Sequence, residues 1–217
     1  MRFIAYDKLE EYQLIARPAS LRIYGASDFA TMEPRAGKKE PDFTEHSVWG
    51  LDHKNELWAL AWWSRQCTTD VGIAAMINLI RTWKPGRWFD EGGLIDKAIG
   101  PAKRSAMRQA GAFCAMEELP SLQDKGMKLQ AFHAMAAANA VHFPMCKWAE
   151  DVVEQLIKFP AGRWDDKADC CGLIGRGMDK MFNARLPSQE RKVNIVPFTE
   201  AWLCANDKPD KPKVRFF

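Results

Sequence analysis

Leu21-Arg22-Ile23-Tyr24-Gly25-Ala26-Ser27-Asp28 is a short, mostly apolar run that closes on an acid. Apolar content over so few residues, with polar chain on either side, predicts a strand. An acid at the end of such a strand is costly to bury unless a partner or a metal meets it. Asp28 is therefore a candidate for chemistry, with an ordinary turn role as the plain alternative.

Outward from this run the pattern alternates. Residues 30–45 are rich in Pro, Gly, Lys and Glu and read as a loop. Residues 47–52 and 57–64 are two apolar, aromatic-rich runs around His53-Lys54-Asn55-Glu56, which predicts a hairpin. Residues 69–84 carry helical apolar spacing and stop at Pro85-Gly86. Residues 87–90 predict a short strand, a helix follows near 102–110, and 112–117 predict a further strand. Residues 125–141, 148–158 and 165–182 read as three closing helices. Three leading strands and then alternating helix and strand predict an α/β fold, a mixed sheet of about five strands flanked by helices. In such a sheet, acids at the carboxyl ends of neighbouring central strands meet at one edge.

Composition narrows the class. Of 217 residues, 47% are hydrophobic and 27% charged, which excludes disorder along the whole chain. No apolar run approaches the roughly 18–20 residues that a bilayer requires. The first residues, Met1-Arg2-Phe3-Ile4-Ala5-Tyr6-Asp7-Lys8, carry charge where a signal peptide needs an apolar core, so a cytoplasmic protein with no membrane partner is expected. The six cysteines contain no C-x-x-C pair and are read as small buried apolar residues. A net charge of +3 permits a nucleic-acid partner without requiring one. Residues 1–20, with a Pro18-Ala19-Ser20 break, read as a connector, 21–205 as the domain, and 206–217 as a charged, proline-rich tail expected to be disordered.

Two further acidic groups join Asp28. Asp90 and Glu91 close the fourth strand ahead of Gly92-Gly93, and Asp165, Asp166 and Asp169 open the last helix. Asp166 and Asp169 are three apart and share a helix face, while Asp165 lies about 100° round from Asp166 and is better placed as an N-cap. Turns and helix capping explain each group singly. Together, acids in the order strand, strand, helix suggest a hard-cation site of oxygen ligands, for which Mg²⁺ or Mn²⁺ is the natural occupant.

At these residues the sequence resembles a known family, the nuclease domain of the large terminase subunit of tailed bacteriophages. The resemblance spans roughly residues 20–182. It runs from Arg22-Ile-Tyr-Gly-Ala-Ser-Asp28 through Pro41-Asp-Phe-Thr44 to the hairpin, then Phe89-Asp-Glu-Gly-Gly-Leu-Ile-Asp-Lys-Ala-Ile-Gly100. It continues with Asp124-Lys125 and Lys128, Val141-His-Phe-Pro144, Trp148, Phe159-Pro-Ala-Gly162 and Asp165-Asp166-Lys-Ala-Asp169. The family implies an RNase H-like, resolvase-like fold. It also implies a divalent-metal-dependent endonuclease that cuts double-stranded DNA with little sequence preference during genome packaging.

Carried onto this chain, the resemblance implies Asp28, Asp90, Asp166 and Asp169 as catalytic, with Asp28, Asp90 and Asp166 holding metal, two ions in all. Glu91, Asp165 and Asp42 are further candidates. The family's second acid is usually Glu; alignment on Gly93 places Asp90 there and leaves Glu91 as its competitor. Where the family often has His before the acid pair, this chain has Trp164, and Cys170-Cys171 stand where Ala-Leu is usual. No G-x-x-x-x-G-K-[ST] occurs, so P-loop ATP hydrolysis is excluded and an isolated, monomeric nuclease domain is expected. Portal and small terminase subunit are implied partners of the full-length protein, in the host cytoplasm.

Basic residues complete the reading. Arg35, Lys38 and Lys39 in the loop after the first strand offer phosphate contacts, as do Lys125 and Lys128, which match the family's basic pair. Lys103, Arg104 and Arg108 read as an exposed helix face. The four histidines lack metal-ligand spacing and read as surface or core-edge residues. A Holliday-junction resolvase or transposase, and a docking module with a merely structural acid cluster, are the alternatives.

Overall fold

Pro18 and residues 20–30, 42–122, 124–162 and 164–184 are described by the computed structural model. The connector before Pro18, the loop holding Arg35, Lys38 and Lys39, and the tail all lie outside the described residues.

The chain runs β1 (Arg22–Asp28), β2 (Thr44–Leu51), β3 (Leu57–Arg65), α1 (Thr69–Trp83), β4 (Arg87–Glu91), α2 (Leu94–Ala110) and β5 (Ala115–Leu119). It continues with α3 (Lys125–Ala137), β6 (Val141–His142), α4 (Lys147–Lys158), α5 (Asp166–Arg176) and a 3₁₀ turn at Met178–Lys180. Six strands form one mixed sheet in the order β5-β4-β1-β2-β3-β6. β1 pairs antiparallel with β2 and parallel with β4, which places it at the centre. The expected mixed sheet with flanking helices is the architecture observed.

Both faces are covered. One core gathers Trp49, Leu57, Phe89, Phe132, Leu156 and Ile174 between the sheet and α3, α4 and α5. The other gathers Val48, Ile73, Met76, Ile80 and Trp88 between the sheet and α1 and α2. Trp49, Trp58 and Trp88 are fully buried and Trp62 packs at the margin, so tryptophan in this chain is core material.

Several boundaries differ from expectation for local reasons. β2 starts at Thr44, inside the expected loop, because its polar residues are buried with partners. Thr44 accepts from the Ala30 N–H at 3.1 Å, and His46 is bonded on both ring nitrogens. α2 begins at Leu94 and carries Pro101 within it, a residue that reads as a breaker. α3 stops at Ala137; Asn139 adopts a left-handed φ of 58°, and Val141–His142 pair with Leu57 and Trp58 as a sixth strand. α5 ends at Arg176, short of the expected 182, and Gly177 lies so close to Phe89 that a Cβ would fall 2.7 Å from its ring.

Candidate metal centre

β1 and β4 set the site. Ser27 is the register partner of Asp90, and strand alternation then places Asp28 beside Glu91 on the opposite face of the sheet. The contacts agree with this assignment. Asp90 faces α2, where the Lys103 ammonium meets it at 2.7 Å with both side chains 5% exposed. Glu91 faces α3, where the Lys128 ammonium meets it at 3.1 Å. Asp90 and Asp28 do end neighbouring central strands, but they point away from each other. This placement corrects the expectation that Asp90 lies beside Asp28: Glu91, not Asp90, shares the Asp28 face. It also corrects Lys103, which lies buried against Asp90 rather than on an exposed helix face.

On the α3/α5 side the acids converge. Asp28 is the register partner of Glu45 on β2, so Glu91, Asp28 and Glu45 form a row across β4, β1 and β2. α5 brings Asp166 and Asp169 to this row. Burial pushes the Asp28 carboxyl well above its usual range. The neighbouring charges of Asp169, Asp166 and Glu91 push the same way, and Lys128 partly offsets them. Asp166 is pushed up to about 6, by burial first and then by the Asp42 carboxylate, against a bond from the Phe43 backbone. Asp42 thus reaches the rim of the cluster. Asp165 occupies the N-cap position of α5 as expected, yet its side chain makes no capping bond.

Glu91 differs in sign. Burial pushes its carboxyl up, but bonds outweigh this and hold it below the usual value. Ser121 Oγ donates to Oε1 at 2.8 Å, the Leu122 N–H donates to the same oxygen at 3.3 Å, and Lys128 Nζ donates to Oε2 at 3.1 Å. Lys128 also lies 3.6 Å from Asp169 Oδ2. It reaches this position because α3 and α5 cross at Gly172 and Gly175. A Cβ on Gly172 would come within 2.8 Å of the Lys128 carbonyl, and one on Gly175 within 2.5 Å of the Phe132 nitrogen. The Lys125 side chain lies outside the described residues.

Among the described residues no three His, Cys, Asp or Glu side chains converge closely enough to cage an ion as they stand. The donor set nevertheless suits a hard cation. It consists of carboxylate oxygens around a desolvated, mutually repelled Asp28, with one ammonium already drawn among them.

Other residues were not foreseen. Glu45 is fully buried and accepts from Trp62 Nε1 at 2.6 Å, Ser64 Oγ at 2.7 Å and Lys167 Nζ at 3.1 Å. Lys167 also lies over the Phe43 ring, 5.5 Å from its centroid, and Trp164 meets that ring edge-on. His46 is wholly buried rather than peripheral. Its Nε2–H donates to the Gly72 carbonyl, so its Nδ1 accepts from Ser27 Oγ, which in turn accepts from Trp88 Nε1. Of the described cysteines, Cys170 and Cys171 are buried in the core as expected, whereas Cys67, Cys114 and Cys146 are only partly buried.

No protein-family model matches the chain, and no curated protein matches it in sequence. Solved structures do match. The large terminase nuclease of thermophilic phage G20c with bound zinc superposes with a TM-score of 0.51 at 17% identity, covering 72% of this chain and 81% of that one. The fold is that of a terminase nuclease domain. The human cytomegalovirus terminase nuclease domain, manganese-soaked, gives 0.57 at 10% identity over 85% and 99% of the two chains. A mutant portion (gp2c) of the large terminase subunit of bacteriophage Sf6 with calcium gives 0.58 at 9% identity over 81% and 99%. No helix among the described residues is long and apolar enough to cross a membrane.

Proposed function

We propose that this chain is a divalent-metal-dependent endodeoxyribonuclease that cuts double-stranded DNA with little sequence preference, as the nuclease of a terminase large subunit in viral genome packaging. The observation that carries this reading is Asp28, at the central strand end, crowded by Glu91, Asp166 and Asp169 on one face of a terminase-nuclease fold. Mg²⁺ or Mn²⁺, two ions for this class of hydrolysis, would supply water activation and stabilise the leaving 3′ oxygen.

Asp28, between the β4 acid and the α5 acids, would hold both ions. Glu91, held ionised and aimed by Ser121, Leu122 and Lys128, would be the second ligand. Asp166 and Asp169 complete the set, Asp42 stands at its rim, and Asp165 takes no ligand role. Lys128 offers a phosphate contact beside the ligands, and Arg35, Lys38, Lys39 and Lys125 extend that grip. Lysines, and a cation that the carboxylates would hold, engage phosphate rather than base edges, which supports cutting with little regard to sequence. Duplex DNA is the partner. Portal and small-subunit contacts belong to the assembled packaging machine in the host cytoplasm.

Plasmid cleavage with Mn²⁺ or Mg²⁺, with and without EDTA, tests this. Nicking and linearisation that need the metal and vanish in Asp28→Asn are expected. Cleavage that survives Asp28→Asn contradicts the assignment.

A further inference from the structure

Asp166 and Asp169 sit at the start of α5, so the setting of that turn decides where both carboxylates stand. The first N–H groups of a helix have no intrahelical partner, and an N-cap side chain ordinarily accepts from the second or third of them. Asp165 holds that position without making the bond. Gln155, near the end of α4, makes it instead: its Oε1 accepts from the Lys167 N–H at 2.7 Å and the Ala168 N–H at 3.2 Å. These are the second and third residues of α5.

Two physical consequences follow. Lys167 is fixed twice, its backbone by Gln155 on α4 and its Nζ by the buried Glu45 on β2. A turn held from a helix on one side and a strand on the other cannot rotate freely about its axis. Its i, i+3 acids are therefore presented to Asp28 in one orientation. The acceptor is also neutral. A carboxylate of the same reach would cap the same N–H groups.

We propose that Gln155 is the positioning residue for the acid-bearing turn of α5, acting on the metal ligands from outside their coordination sphere through the Lys167 and Ala168 amides. Its functional consequence rests on the nuclease reading above; the cap itself does not.

The experiment uses the whole chain with Gln155→Ala, Gln155→Asn and Gln155→Glu. Mn²⁺ binding is followed by calorimetry, folding by circular dichroism, and the two amides by hydrogen exchange. Asn keeps the amide but shortens the reach; Glu keeps the reach and the acceptor. Q155A and Q155N are expected to stay folded, to expose the Lys167 and Ala168 amides to faster exchange, and to weaken Mn²⁺ binding about 10–100-fold, the range for groups that orient metal ligands. Q155E is expected to restore slow exchange and most of the Mn²⁺ affinity. Wild-type exchange rates and Mn²⁺ affinity in Q155A overturn the proposal, and so does a folded Q155E that fails as Q155A does. A wild-type chain that takes up no Mn²⁺ contradicts the nuclease reading instead, and unprotected wild-type amides contradict the cap.

Discussion

Asp90 and Glu91 are adjacent in sequence and opposite in placement. Strand alternation alone dictates that they face different layers, but it does not say which of them shares a face with Asp28. That follows from the register in which Ser27 meets Asp90, a long-range pairing that no local pattern encodes. Glu91→Gln is expected to reduce metal-dependent cleavage about 100-fold or more, beyond what loss of an outer-shell partner costs, with the fold kept. Asp90→Ala strands the buried Lys103 and should cost about 3–5 kcal/mol in denaturant unfolding, with activity per folded molecule retained. The reverse pattern would return the site to Asp90. Asp166 adds a pH signature. Its carboxyl titrates near 6 when folded and near the ordinary value of about 3.9 when unfolded, so its protonation stabilises the fold fully below that value. That stabilisation is lost as pH rises through about 6. In metal-free buffer at pH 7–8, Asp166→Asn should therefore stabilise the chain by about 1–2 kcal/mol, after allowance for solvent screening, while abolishing cleavage. Thermal melts across pH 4–8 check this, and a destabilised Asn variant would count against the crowding of the acids.

At the scale of elements, the central strands, the hairpin and α1 are legible because apolar runs and the Pro85-Gly86 stop agree with the structure. The misplaced ends share a cause: local signals were overruled by tertiary contact. Pro101 sits inside α2, Asn139 turns the chain into β6, and the Thr44-Glu45-His46 segment looks like loop until its buried partners are known. Glu45 and Gln155 carry no sequence signal, since each meets α5 through a contact that only the packing of the elements creates. The α3/α5 crossing was equally hidden, because Gly172 and Gly175 matter only once Lys128 and Phe132 lie against them. Gly175→Val should wedge the two helices apart, cost about 1–3 kcal/mol, and move Lys128 off Glu91 and Asp169. Urea unfolding together with Mn²⁺ calorimetry reads both effects; an unchanged midpoint would show that the crossing is looser than it stands.

For the whole molecule, charge bears on the proposed grip on DNA. Lysine and arginine number 31 against 28 acids, and among the described residues Lys128 is engaged with Glu91 and Asp169, and Lys167 with Glu45. An acid-rich face of this kind repels phosphate until a cation neutralises it. Duplex binding is therefore expected to be weak without metal, stronger with it, and to fall with salt as a small number of phosphate contacts release counterions. Tight, salt-insensitive binding by the metal-free chain would contradict this.

The central claim is that the cation site lies on the α3/α5 face, at Asp28. Anomalous diffraction from a Mn²⁺-soaked crystal tests it most directly. The expected result is a peak within about 2.0–2.2 Å of carboxylate oxygens of Asp28 and Glu91, close to the α5 acids, with Asp90 still held by Lys103. A peak at Asp90, or none at Asp28 under saturating Mn²⁺, would contradict the account.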